Sequence, residues 1–258
     1  MIEFIDIESI YDLREKIHFN DNFVHLSDVL KTPITNWDEF QECMIENSVY
    51  DCSIVSKMDD YYSLTSTVEV NTKDDAWERR VYALQRPING TPAWEPRDYF
   101  ENGYAVIIKN FEEKNMQSRG LLNFLLQTFY INLEAHGTWP AFINQYSGHV
   151  HLKGALKDSN FDGVHADPWT NFIFVVDGEL QVDVYNNRTC TLMDHSLPLT
   201  SSDELLKNHV DSLDLNTTVT AKMGDFVYVP NRLVHRIKPT ENVLYLSLPL
   251  ILKGPMAL

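Results

Sequence analysis

Beyond Pro140 the chain falls into short extended runs, and this density of strands is what most limits the fold it can adopt. Phe142 to Leu152, Asn171 to Tyr185, Thr217 to Lys222, Phe226 to Val229 and Val243 to Leu250 all read as strands. Asp177-Gly178, Asn186-Asn187 and Gly224-Asp225 punctuate them with residues that accept the backbone angles of tight turns. The pattern predicts a small barrel. Leu192 to Asn216 reads as a polar insertion over one end, in which Ser201-Ser202-Asp203-Glu204 predicts a capping box opening a short helix.

The chain before this barrel segment has a different texture. Glu101-Asn102-Gly103 reads as a turn into the strand Tyr104 to Ile108, and Gln117 to Glu134 carries Leu121, Leu122, Leu125, Phe129 and Leu133 at helical intervals. That stripe is read as core packing, and Gly137 and Pro140 stop the helix. Upstream, Asp38 to Ile45 has helical character and Tyr61 to Val70 alternates as strands do. The expected organisation is an N-terminal α/β elaboration over 1–98 and a β core with flanking helices over 99–258. The elaboration carries no legible function.

With 258 residues, 44% hydrophobic and 12% aromatic, the chain can bury a full core. No run approaches the roughly eighteen apolar residues of a membrane span, and Met1 to Glu8 is acidic where a secretory signal is basic, so a soluble cytoplasmic protein is expected. Cys43, Cys52 and Cys190 are odd in number and lack metal-type spacing, which suits reduced structural thiols. Lys and Arg total 21 against 37 acids, a formal charge of −16. Such a field repels phosphate backbones, arguing against general nucleic-acid binding, and favours a basic peptide or protein partner. Acidity that serves solubility alone is the plain alternative.

Against this background one constellation carries chemistry. His165-Ala166-Asp167 places two donors on one face of a strand, roughly 6.6 Å apart along it, while Ala166 turns away. A third ligand must come from a neighbouring strand. His235 qualifies, because Gly224-Asp225 reads as a turn, Phe226 to Val229 as a strand and Pro230 as its end. Two imidazoles and one carboxylate suit a mononuclear iron(II) site with open positions for substrate and oxygen. His-x-Asp alone is a common pattern, and a pair of surface or core histidines is the bland reading; the second segment in an all-β context favours the metal.

Several of these segments, in this order, resemble the JmjC-type cupins, most closely their ribosomal-protein hydroxylases. The resemblance rests on Asn102-Gly103-Tyr104 to Ile108 with the helix after it, Asn144-Gln145-Tyr146, and Phe161-Asp162-Gly163-Val164-His165-Ala166-Asp167. Gly178 and Gly224-Asp225-x-x-Tyr228-x-Pro230 followed by His235 complete it. It covers about residues 99 to 250. It implies a double-stranded β-helix of cupin or jelly-roll type with His165, Asp167 and His235 as iron(II) ligands. It further implies 2-oxoglutarate as co-substrate and hydroxylation of a protein or peptide side chain, with a small metabolite as the other substrate class. Asn144 and Tyr146 resemble the family's Asn-x-Tyr, and Asn171 sits where some related hydroxylases carry a co-substrate-binding asparagine. Such cupins often dimerise, so a homodimer is an expectation here too.

One departure stands out. The family generally carries a lysine or arginine on the strand after the His-x-Asp to pair with the far carboxylate of 2-oxoglutarate, and here that place holds Leu180 between Glu179 and Gln181. A buried carboxylate without a cation is costly. Lys153, sharing a strand face with His149 and His151, is the preferred replacement; Arg232, Arg236, Lys238 and Lys222 are alternatives, each with a solvated surface charge as its plain reading. For His149 and His151 as a second metal site, no nearby carboxylate completes the set. Three functions compete: a 2-oxoglutarate-dependent hydroxylase, an iron(II) oxidase or oxygenase of the same fold without 2-oxoglutarate, and a non-catalytic metal-binding cupin. A scaffold has no need of a buried polar triad that costs stability.

Overall fold

The computed structural model describes residues 4–12, 23–45, 52–55, 96–101, 105–135, 146–157, 164–167, 169–188, 199–200 and 213–252. The strand expected at Tyr61 to Val70 and the capping box at Ser201 to Glu204 lie outside them.

Among the described residues thirteen strands form two sheets. The larger has the order β1 (Val24–Leu26), β11 (Phe226–Val229), β7 (Thr170–Asp177), β13 (Val243–Leu252), β5 (His151–Ala155), β3 (Ala105–Ile108) and β2 (Cys52–Val55), with β4 (Tyr146–Gly148) also paired to β13. The smaller has the order β10 (Leu215–Lys222), β8 (Glu179–Arg188), β12 (Leu233–Pro239), β6 (His165–Ala166) and β9 (Leu199–Thr200). From β10 onward the chain alternates between sheets, β10 small, β11 large, β12 small, β13 large. This is the winding of a double-stranded β-helix. The first hundred residues contribute β1 and β2, which form the two edges of the larger sheet.

Residue patterning explains why the sheets differ. Asn171 to Val176 are all buried, because Phe172, Phe174 and Val176 pack outward while Ile173 and Val175 point into the barrel. β13 divides the same way, Leu244, Leu246 and Leu248 outward and Val243 and Tyr245 inward. A sheet covered on both faces reads as a continuous apolar run. The smaller sheet is more polar on its outer face: Leu180, Val182, Val184, Ala221, Leu233 and Ile237 face the interior, alternating with Gln181, Asp183, Thr218, Thr220, Arg236 and Lys238, while Ala166 and Val234 join a small outer cluster.

The outward face of the larger sheet is capped by helices, two of which open on asparagines. Asn36 Oδ1 accepts the Glu39 amide at 3.0 Å and opens α1 (Trp37–Ile45); α2 (Pro96–Glu101) follows. Asn115 Oδ1 accepts the Ser118 amide at 2.8 Å and opens α3 (Met116–Ala135), one residue before the expected start. Phe40 of α1 lies against Gly154 so closely that a Cβ there would overlap its ring. Trp37 Nε1 donates to Asp177 Oδ2 at 2.7 Å and ties α1 to the β7–β8 turn. At that turn Gly178 has φ 75°, and its missing Cβ makes room for the Asn242 carbonyl.

One expected strand is divided. In place of the strand expected over Phe142 to Leu152, the described part forms β4 and β5 with 149–150 in neither. Both pair with β13 in a single register that sets Pro249 opposite His149. Proline has no N–H to give the ladder. The Val150 backbone turns instead to a 3₁₀ turn at Phe111–Glu113, its amide donating to Glu112 Oε2 at 2.8 Å and its carbonyl accepting the Phe111 amide at 2.8 Å. Among the described residues no helix is long and apolar enough to cross a membrane.

Candidate metal centre

His165 and His235 face each other directly, because β12 and β6 pair antiparallel with these two residues in register. Their ring centroids are 4.2 Å apart. Asp167 follows β6, and Ala166 between the donors packs the other way, with Val164 and Val234. The ligand atoms of His165, Asp167 and His235 all lie within 4.8 Å of one another, and all three residues are buried. His165 Nε2 stands 3.7 Å from Asp167 Oδ2. One ion about 2.1 Å from each donor draws such atoms roughly 3–4 Å apart, so the set fits a metal with little side-chain movement.

Neighbouring groups fix how the donors point. His235 Nδ1 lies 2.8 Å from the Leu233 carbonyl, which can only accept; the proton therefore sits on Nδ1 and Nε2 carries the lone pair. Asn171 Nδ2 donates to Asp167 Oδ2 at 2.7 Å, and Ser247 Oγ donates to Asn171 Oδ1 at 3.2 Å. The Arg232 amide donates to the Asp167 carbonyl at 2.6 Å, with Arg232 at φ 61° in the turn between β11 and β12. Donors oriented by a second ring of hydrogen bonds are the usual construction of a metal site. Two imidazole nitrogens and a carboxylate suit a redox-active divalent iron as well as other first-row ions.

The remaining sequence candidates are placed unevenly. Asn171 touches Asp167 itself, a contact its spacing of four residues did not announce. Asn144 lies outside the described residues, and of Tyr146 only the backbone in β4 is described. Leu180 is fully buried in the apolar barrel wall beside Val182 and Ala221, so that position turns no cation inward. Lys153 does point inward: it is buried, pairs across β5 and β13 with Tyr245, and holds Nζ 5.8 Å from that ring centroid. Arg236 points outward and binds Asp183, while Lys238 and Lys222 are exposed. His149 Nδ1 meets Glu112 Oε1 at 3.4 Å.

Sequence reasoning missed Ser247 and Lys109. Lys109 follows β3 on the face of Ala105 and Ile107 and is buried beside His151 and Lys153. The alternation Ala105, Ile107, Lys109 was the available signal. Burial, then the electrostatic influence of Lys153, Lys109 and His149, pushes the His151 imidazole well below its usual range, so it is neutral near pH 7.

No protein-family model matches the chain, and no curated protein matches it in sequence. Solved structures do. An X-ray structure of Escherichia coli ycfD superposes with a TM-score of 0.56 at 12% identity, covering 95% of this chain and 53% of that one. YcfD, described as a ribosomal oxygenase from Escherichia coli, in complex with cobalt and 2-oxoglutarate gives 0.52 at 13% identity, covering 91% and 48%. Its complex with cobalt and succinic acid gives 0.51 at 12%, with the same coverage. The likeness shows a shared cupin fold, and the chain spans about half the length of these structures.

Proposed function

We propose that the protein is an iron(II)- and 2-oxoglutarate-dependent oxygenase that hydroxylates a side chain of a protein or peptide. The observation that carries this reading is the buried His165, Asp167 and His235 triad on facing strands of a double-stranded β-helix. When bound, iron and 2-oxoglutarate supply the oxidising power: dioxygen gives one atom to a substrate C–H bond and one to the succinate formed as the keto-acid loses carbon dioxide. The protein's share is binding, orientation and exclusion of side reactions.

Each residue has a part in that share. His165, Asp167 and His235 would hold the ion and leave it positions for a chelating keto-acid and oxygen. Asn171, braced by Ser247, would keep Asp167 oriented for an ion. The apolar wall of Val182, Val184, Ile173 and Val175 excludes water. Lys153 takes the far carboxylate in the place of the cation that Leu180 replaces. A net charge of −16 suits a basic substrate, and the fold neighbour's description as a ribosomal oxygenase supports a protein of that kind.

Leu180 also favours a second reading, an iron(II) oxygenase of this fold that dispenses with 2-oxoglutarate. Anaerobic titration of the iron(II)-loaded protein with 2-oxoglutarate separates the two. A visible charge-transfer band that grows and saturates is the expected result. Iron binding without any band assigns the protein to the second class.

A further inference from the structure

The two sheet orders end on strands of very unequal length. β1, β2 and β9 have 3, 4 and 2 residues, whereas β10 has 8. Edge strands are normally kept short or guarded by proline and charge. β10 carries no proline, and it carries no charge from Leu215 to Ala221 in a chain of net charge −16. It is also open to water: Leu215, Asn216, Thr218, Thr220 and Lys222 are exposed, and Leu215 at 53% is among the most exposed large apolar side chains of the described residues. The Met223 amide donates to the Gly178 carbonyl at 3.1 Å, so Ala221 and Val219, in step with it, spend their N–H and C=O groups on β8. Thr218 and Thr220 turn theirs to the open edge, where among the described residues no further strand lies.

We infer that β10 is the docking edge for a second copy of this chain, paired antiparallel with its own β10 about a two-fold axis at Val219. This goes beyond the oxygenase reading and does not depend on it. The strand matches itself in that arrangement. Thr218 of each chain lies opposite Thr220 of the other, and each such pair exchanges both of its N–H···O bonds. Val219, which packs on the barrel interior at the margin of the sheet, meets its own counterpart and extends that apolar layer across the axis. Antiparallel pairing brings the Asp214 end of one strand to the Lys222 end of the other, whereas parallel pairing sets like charge beside like. The aliphatic stem of Lys222 then covers the exposed Leu215 of the other chain. Two copies of a strongly acidic chain repel, and a neutral strip is where they approach at least cost. A two-fold pair is also closed, since each copy uses up the other's edge and leaves none to grow from. One strand per chain is a small interface, so the dimer belongs to the weak, reversible class.

The test is sedimentation velocity on the full chain from about 1 to about 300 μM, a range that spans weak association. Monomer should give way to dimer as concentration rises. Over the same range amide hydrogen exchange at Thr218 and Thr220 should slow, while exchange at Ala221, already bonded to β8, stays the same. Thr220→Pro removes an outward N–H that β8 does not use, a substitution that an edge strand accepts. It should leave the monomer folded and weaken the dimer about ten- to a hundredfold, because the two-fold axis deletes the same bond twice. A chain that stays monomeric throughout overturns the proposal. So does a dimer that Thr220→Pro leaves intact, or one that forms without slowing exchange at Thr218 and Thr220, since its interface then lies elsewhere. Should the proline variant fail to fold, the exchange measurement on the wild-type chain decides.

Discussion

A carboxylate used as a metal ligand must be deprotonated and aimed, and at Asp167 the aiming is done by a neighbour. Asn171 donates to Oδ2 at 2.7 Å and is itself held by Ser247. Replacing Asp167 with Ala removes one donor of three, and iron content after desalting should fall to background with the circular dichroism spectrum unchanged; retained iron refutes the donor assignment. Asn171→Ala leaves the donors in place but frees Asp167 to rotate. Its iron affinity should fall about 10- to 100-fold, the usual scale for such outer partners, measured by competition with a chelator. An affinity within twofold of wild type would make Asn171 a packing residue. The spacing of His165, Asp167 and His235 was readable because period-two alternation and a turn are local signals. The Asn171–Ser247 contact was not, since it joins residues 76 apart through the register of β7 and β13.

At the scale of elements, the smaller sheet is held on its outer face by Asp183 of β8. Burial alone would raise its pKa, but hydrogen bonds from Gln181 (2.7 Å), Thr218 (2.8 Å) and Arg236 (2.9 Å), with the Arg236 charge, outweigh burial and hold it below the usual range. A folded pKa below the unfolded value of about 3.9 stabilises the protein above that pH, and the contribution fades as pH falls through the folded value. Asp183→Asn should therefore cost about 1–3 kcal/mol at pH 7 and progressively less below about pH 4, read by urea unfolding across pH. A gap that is constant with pH would show that the charge is irrelevant. On the opposite sheet, Gly154→Ala sets a methyl against the Phe40 ring, and displacing α1 should cost about 1–3 kcal/mol in the same assay. The turns at Gly178 and Gly224 were legible, since both glycines adopt positive φ. The turn into β12 was not, because its left-handed residue is Arg232, and the division of β4 from β5 was hidden because Pro249 acts across the sheet rather than along the chain.

For the whole molecule, the excess of 16 acidic charges acts over distances that no single contact covers. At 0.1 M ionic strength charges are screened over about 10 Å, so a diffuse acidic surface accelerates and tightens association with a basic partner chiefly in dilute salt. If the substrate is a basic protein segment, a Lys- and Arg-rich peptide should bind the iron-loaded chain more tightly than a neutral peptide of equal length. Its advantage should shrink several-fold between 50 and 300 mM NaCl, and the loss should lie mainly in the association rate. Fluorescence anisotropy with stopped-flow mixing reads both quantities. An advantage independent of salt would locate recognition in a few desolvated contacts near the metal. No advantage at any salt would give the acidity to solubility and turn the search toward small keto-acid-coupled metabolites. Charge was plain in the sequence, but the sequence alone does not say which face carries it, and association kinetics respond to that face.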